Sequence, residues 1–168
     1  LQQARTPMGR RRLRHWLCYP LRDRAAVESR LDAVERLVDE ERRRERIRDV
    51  IAGVQDVARI SGRVAMRRAT PRDLVALGRS LRALPDLIEL LSEDTAFTAI
   101  HQRLTQSAGI ATPLGEELID SCVEEPPAHL REGGLIADGV DAELDEYRSL
   151  QRDGTAWLTE YQTRLTEE

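Results

Sequence analysis

Apolar residues recur along this chain at intervals of three and four, and in no stretch do they alternate one position in two. Val27, Leu31, Val34 and Val38 form one such row, and Leu74, Leu77, Leu81 and Leu84 form another. A period of 3.6 places these positions on one face of a helix, whereas a half-buried strand needs a period of two. The pattern predicts an all-α fold, an irregular bundle of long amphipathic helices.

Start and stop signals divide the pattern. Thr6 and Pro7 suit an N-cap and a first helical position, so a helix is expected over residues 7–19 until Tyr19-Pro20 ends it. It carries Met8, Leu13, Trp16 and Leu17 toward one side. Asp23 is placed to cap the helix bearing the 27–38 row. The mixed-sign run over 39–48 reads as a solvated helix face laced with ion pairs. Val54, Val57, Ile60 and Val64 continue the period to Thr70-Pro71, where a new helix starts with Asp73 in its first turn, favourable to the helix dipole. Leu74, Leu77, Leu81 and Leu84 are its expected buried stripe, and Pro85 restarts or kinks it before Leu87, Leu90 and Leu91.

The signal weakens between Ser92 and Pro113, leaving a short helix near 97–104 and a separate one over 113–124. Pro126, Pro127, Gly133, Gly134 and Gly139 make 125–139 a Pro/Gly-rich connection, with turns of positive φ expected at the glycines. A last helix, 141–168, carries Val140, Leu144, Tyr147, Leu150, Trp157, Tyr161 and Leu165 as one stripe and reaches about 42 Å if continuous. Gly154 within it is expected to mark a bend or a close helix crossing.

All 26 basic residues are Arg, and the net charge of −4 conceals an asymmetry. Residues 1–72 hold 19 Arg against 10 acids, and the remainder holds 7 against 20. Either the halves neutralise each other or a basic face meets an acidic partner. The 40% hydrophobic content excludes an extended disordered chain, and no apolar run approaches the length of a membrane span. Cys18 and Cys122 make no CxxC or metal spacing and read as reduced thiols of a cytoplasmic protein. The chain begins at Leu1 and ends in a charged helical pattern, which reads as a segment of something longer.

Candidate chemistry is sparse. His15, His101 and His129 lack a second ligand at i+3 or i+4. Asp138, Asp141, Glu143 and Asp145 lack the alternation and central glycine of a calcium loop and read as helix-start acids. There is no GxSxG, and Gly133-Gly134 lacks the spacing and the Lys of a phosphate loop. No catalytic, cofactor-binding or metal residue is expected. The run Arg10, Arg11, Arg12 and Arg14 is the candidate phosphate-contacting feature, extended by Arg42-Arg43-Arg44 and Arg67-Arg68. Four arginines in about one and a half turns spread around the helix, so at least one is expected to point inward and pair. The residues alone leave open a stand-alone helical DNA-binding module and a helical protein–protein scaffold.

Several ordered stretches together resemble the helical core of MutS-type DNA mismatch repair proteins. They are Thr6-Pro7-Met8-Gly9 with Leu13, Trp16-Leu17 and Pro20-Leu21; Arg30-Leu31-Asp32-Ala33-Val34-Glu35; and Pro71-Arg72-Asp73-Leu74 with Leu77 and Ser80. Pro126-Pro127, Arg131 to Ile136, Asp138-Gly139 and Glu143-Leu144-Asp145-Glu146 complete the set. One departure is Asp56-Val57-Ala58-Arg59, where the family usually reads Asp-x-Glu-Arg. The resemblance implies a single lever or core domain fragment over 1–168, with 141–168 leading toward a clamp domain that is not in this sequence. It implies a structural and allosteric segment, itself not an enzyme, that couples ATP state to DNA clamping. The implied parent is an ATPase using ATP and Mg, homodimeric or larger, acting on duplex mismatched DNA, with no membrane association.

Overall fold

The computed structural model describes residues 3–92 and 94–167, with side chains through residue 154. Eight α-helices fall among the described residues: α1 (Pro7–Cys18), α2 (Arg24–Asp39), α3 (Glu41–Ala52), α4 (Val57–Ala65), α5 (Pro71–Arg82), α6 (Leu84–Leu91), α7 (Thr98–Ser121) and α8 (Ala142–Glu167). Short 3-10 turns stand at Thr95–Phe97 and Leu130–Glu132, and no β-strand occurs among the described residues. The all-α expectation holds. The chain divides into two compact units, Leu1–Leu135 and Ile136–Glu168.

Helix starts follow their caps. Thr6 Oγ1 accepts from the Gly9 amide at 3.0 Å, and Asp23 Oδ1 accepts from the Ala26 amide at 3.1 Å. Thr70 and Asp73 form a reciprocal capping box: the Asp73 amide donates to Thr70 Oγ1 at 3.3 Å and the Thr70 amide donates to Asp73 Oδ2 at 2.9 Å. The pattern expected to run on to Thr70 is cut twice. Glu40 leaves the helical region at φ −102° and ψ 69°, ending α2. Asp56 then caps α4, accepting from the Arg59 amide at 3.2 Å. A periodic row of apolar residues does not mark where the backbone leaves the helix between its members.

The core of the first unit lies around α5. Ile60 of α4 clusters with Leu77 and Leu81, with Val57, Ala76, Leu84, Ala111 and Leu118 packed against them. Val75, Leu90, Leu91 and Phe97 are also buried, whereas Leu74 of the expected stripe is half-buried. The α5–α7 contact is close because two glycines stand in it. A Cβ on Gly115 would lie 2.8 Å from Leu81 Cβ, and one on Gly78 would lie 3.0 Å from Leu118 Cβ. Ser80, 2% exposed, ties the α3–α4 connection to this core: its hydroxyl donates to Ala76 O at 2.6 Å and accepts from the Gln55 amide at 2.9 Å.

Two expectations are corrected here. The weak region and the separate 113–124 helix are one helix, α7, which runs through Pro113. Pro113 is exposed, so the carbonyl its ring deprives of a partner, on exposed Gly109, faces water and the cost of the interruption falls. The 27–38 row on α2 does not face this core, since Leu31, Val34 and Val38 are 60%, 57% and 62% exposed. Its less exposed positions are Ala26, Arg30, Ala33 and Leu37, one residue around the helix.

In the second unit α8 is one helix of 26 residues, about 39 Å long. Asp141 caps it by accepting from the Leu144 amide at 3.0 Å. Gly154 marks no close crossing, because a Cβ there would meet nothing within 4 Å. Trp157, Tyr161 and Leu165 lie outside the residues whose side chains are described. Gly133, Gly134 and Gly139 have φ of 70°, 70° and 88°, the positive values expected of them.

Candidate nucleic-acid and coupling surfaces

The four arginines of α1 have separate fates. Arg11 makes a two-pronged ion pair with Asp56 at the start of α4, Nη1 meeting Oδ2 and Nη2 donating to Oδ1 at 2.9 Å. This pairing answers the expectation that one of the run would turn toward the fold. The Arg11 hydrogen bond holds the Asp56 carboxyl below its ordinary value, with the Arg59 amide assisting against partial desolvation. Ala58, the departure from the family pattern, is exposed, and among the described residues Asp56 is the acid that receives Arg11.

Arg12 lies 5.7 Å from the Trp16 ring centre, and Arg30 of α2 lies 4.0 Å from it. Trp16 thus joins α1 to α2 by a cation–π contact that no apolar spacing announces. Arg10 and Arg14 are exposed, with no acidic partner among the described residues. The run therefore offers two outward guanidiniums, while Arg11 and Arg12 engage other groups of the chain.

The arginine triplet of α3 is mostly structural. Arg43 Nε donates to the Leu90 carbonyl at 2.7 Å, its Nη1 approaches Glu40 at 3.2 Å and Asp94 at 3.7 Å, and its guanidinium lies 5.4 Å from the Phe97 ring centre. It fastens α3 to the end of α6 and to the 3-10 turn. Arg44 reaches back to the Leu37 carbonyl at 3.1 Å and to Glu41 at 3.1 Å, bracing the α2–α3 junction. Arg42 is exposed.

At the base of α8, Arg148 is the organising residue, and no sequence motif had singled it out. Nη1 donates to Asp138 Oδ1 at 2.7 Å, Nη2 donates to the Ile136 carbonyl at 2.9 Å, and Asp145 lies at 3.6 Å. Asp145 Oδ2 accepts from the Gly139 amide at 2.7 Å. The acidic cluster of 138–145 is accounted for by these bonds, by the Asp141 cap, and by Glu143 accepting from the Tyr147 hydroxyl at 3.1 Å. The one readable signal is the i, i+3 spacing of Asp145 and Arg148.

The histidines stay apart in role. His15 stacks on Tyr19 with ring centres 4.9 Å apart, His101 lies on α7, and His129 precedes the second 3-10 turn. Among the described residues no group of three His, Cys, Asp or Glu could hold a metal ion. Burial pushes the Cys122 thiol pKa up, leaving it a protonated packing group. No described helix is long and apolar enough to cross a membrane.

Comparison with known proteins adds to this geometry. The family model described as MutS domain III matches residues 1–165. A DNA mismatch repair protein MutS from Salinibacter ruber (strain DSM 13855 / M31) is 40% identical over 169 residues, covering 99% of this chain and 18% of that protein. The DNA mismatch repair protein MutS of Thermus aquaticus is 41% identical over 167 residues, covering 99% of this chain and 19% of its own length. That of Persephonella marina (strain DSM 14350 / EX-H1) is 35% identical over 170 residues, again 19% of its length. The chain spans less than a fifth of the curated relatives it matches.

Proposed function

The chain belongs to the MutS family, where it corresponds to domain III, and from that premise we propose that it is the lever segment through which ATP state controls DNA clamping. The observation that carries the reading is α8, one helix of 26 residues whose base is clamped by Arg148. An uninterrupted helix transmits displacement along its axis, and Arg148 braces its first turns against Ile136 and Asp138 of the same unit. The exposed rows on α2 and α8, including Leu31, Val34, Tyr147 and Leu150, support a segment that packs within a larger body. On this reading the segment supplies no catalytic group. ATP, Mg and the mismatched duplex belong to the rest of the parent, a cytoplasmic homodimer or larger assembly.

The test is Gly154→Pro in the intact parent. Proline removes a helical hydrogen bond and clashes with the preceding turn, so the arm bends or breaks while the first unit keeps its fold. ATP affinity is expected to stay at the wild-type value, with ATP-triggered release of DNA diminished. A folded variant whose release still answers fully to ATP overturns the lever reading.

A further inference from the structure

The outer faces of α1 and α7 carry exposed apolar side chains and charges of opposite sign that the coupling reading leaves unused. At about 100° per residue, Arg10, Arg14 and Leu17 fall within about 60° of one another on α1. They lie across the helix from half-buried Met8 and from Arg11 and Trp16, which engage Asp56 and Arg30. Arg10 and Arg14 have no acidic partner among the described residues, and Leu17 is 64% exposed. This face is basic at its start and apolar at its end.

The outer face of α7 is graded the opposite way. Ile110, Leu114 and Glu117 span a similar arc, and Asp120 continues it. They point away from Ala111, Gly115 and Leu118, the side packed on α5. Ile110 is 80% exposed, and Glu117 and Asp120 are exposed with no cationic partner among the described residues. The face is apolar first and acidic toward the helix end.

We propose that α1 of one copy of this chain packs antiparallel on α7 of a second copy. Arg14 and Leu17 stand about 6 and 10.5 Å beyond Arg10 along α1, and Glu117 and Leu114 stand about 4.5 and 9 Å back from Asp120 along α7. Laid antiparallel, each arginine meets a carboxylate and Leu17 meets Leu114, all within about 1.5 Å of register. Ile110 extends the apolar end of the face by one turn. Both faces lie in the first unit, so one chain carries both halves of the contact. Duplex DNA fits α1 less well, because phosphate contact uses only the arginines and leaves Leu17 in water. A single helix pair buries less than the roughly 1,200 Å² of a standard interface, so the association is weak and reversible. The proposal does not rest on the lever reading.

The experiment is sedimentation equilibrium of the 168-residue chain at low salt, at concentrations up to about 1 mM, the range a weak contact requires. Wild type is compared with Arg10→Glu/Arg14→Glu, with Glu117→Arg/Asp120→Arg, with the four-residue swap that combines them, and with Leu17→Ser. Wild type is expected to associate, and to do so more weakly as salt rises. Each charge-reversed pair should raise the dissociation constant about tenfold or more, and Leu17→Ser about threefold. The four-residue swap keeps the wild-type net charge and should restore association to within about threefold, which neither misfolding nor a general charge effect would do. A chain that stays monomeric at every concentration, charge-reversed pairs that associate like wild type, or a folded swap that remains monomeric would each overturn the proposal. Binding of a labelled duplex that Arg10→Ser/Arg14→Ser abolishes, with the chain itself monomeric, would also overturn it, by assigning the face of α1 to DNA. None of these outcomes bears on the nucleotide response of Gly154→Pro, so the two readings fail separately.

Discussion

Arg11 and Asp56 join helices whose partners stand 45 residues apart in sequence, and their pairing sets a pH dependence. The folded-state pKa of Asp56 lies below its ordinary value of 3.8, chiefly because Arg11 hydrogen-bonds the carboxylate. The pair's contribution is therefore complete above that ordinary value and is lost as pH falls through the lower folded one. Arg11 is exposed, so added salt weakens the pair as well. In a carboxyl-carbon NMR titration, Asp56 should titrate below the ordinary aspartate range, and Arg11→Ser should return it there. An unchanged titration would remove the pair as the cause. The pairing of one α1 arginine was legible from helical geometry, but its partner was not, because spacing does not say which helices meet. Glycine teaches the same lesson. Gly154 is the position the sequence marks for a bend or a close crossing, yet the close crossing lies at Gly78 and Gly115. Gly115→Val should cost about 1–3 kcal/mol or more by overpacking against Leu81, whereas Gly154→Ala should be neutral or stabilise by up to about 1 kcal/mol. Urea unfolding midpoints check both, and a tolerated Gly115→Val would refute the close contact.

Element by element, strong caps make the starts of α1, α2 and α5 readable in the sequence. The breaks at Glu40 and Asp56 and the continuity of α7 are not. A helix carried through Pro113 follows from an exposed face, and exposure is a property of the fold. Replacing that proline is therefore informative: Pro113→Ala should stabilise α7, by about 1–3 kcal/mol where the intrinsic cost in an unrelieved helix is about 3. No gain in unfolding midpoint would mean the helix has already relaxed around the ring. The α2 row makes a second contrast. Leu31, 60% exposed, should lose less than about 1 kcal/mol as Leu31→Ala in the 168-residue chain, whereas Leu77→Ala in the core should lose about 2–5. In the intact parent, a larger penalty for Leu31→Ala would show that the row is covered there.

For the molecule as a whole, the charge asymmetry between the first 72 residues and the rest is partly settled within the fold. Arg63 pairs with Asp73, and Arg36 and Arg43 approach Asp94 at 3.6 and 3.7 Å. Arg10, Arg14, Arg67, Arg68 and Arg72 remain outward without acidic partners among the described residues, which leaves a basic excess for a partner to meet. The fold class was written in the 3.6-residue period, and the family in motifs spread from Thr6 to Glu146. The clamped base of α8 was not legible, because Arg148 gains its meaning from a carbonyl and a carboxylate on the preceding turn. The central claim is that α8 acts by being stiff. Helix stiffness at residue 154 can be varied in one step each way: Gly154→Ala favours the helix, wild type is intermediate, and Gly154→Pro breaks it. The decisive measurement is the rate of ATP-triggered DNA release across these three forms of the intact parent, with ATP affinity measured alongside. The expected response is ordered Ala, then Gly, then Pro at unchanged ATP affinity; equal responses in three folded proteins would show that the stiffness of α8 plays no part.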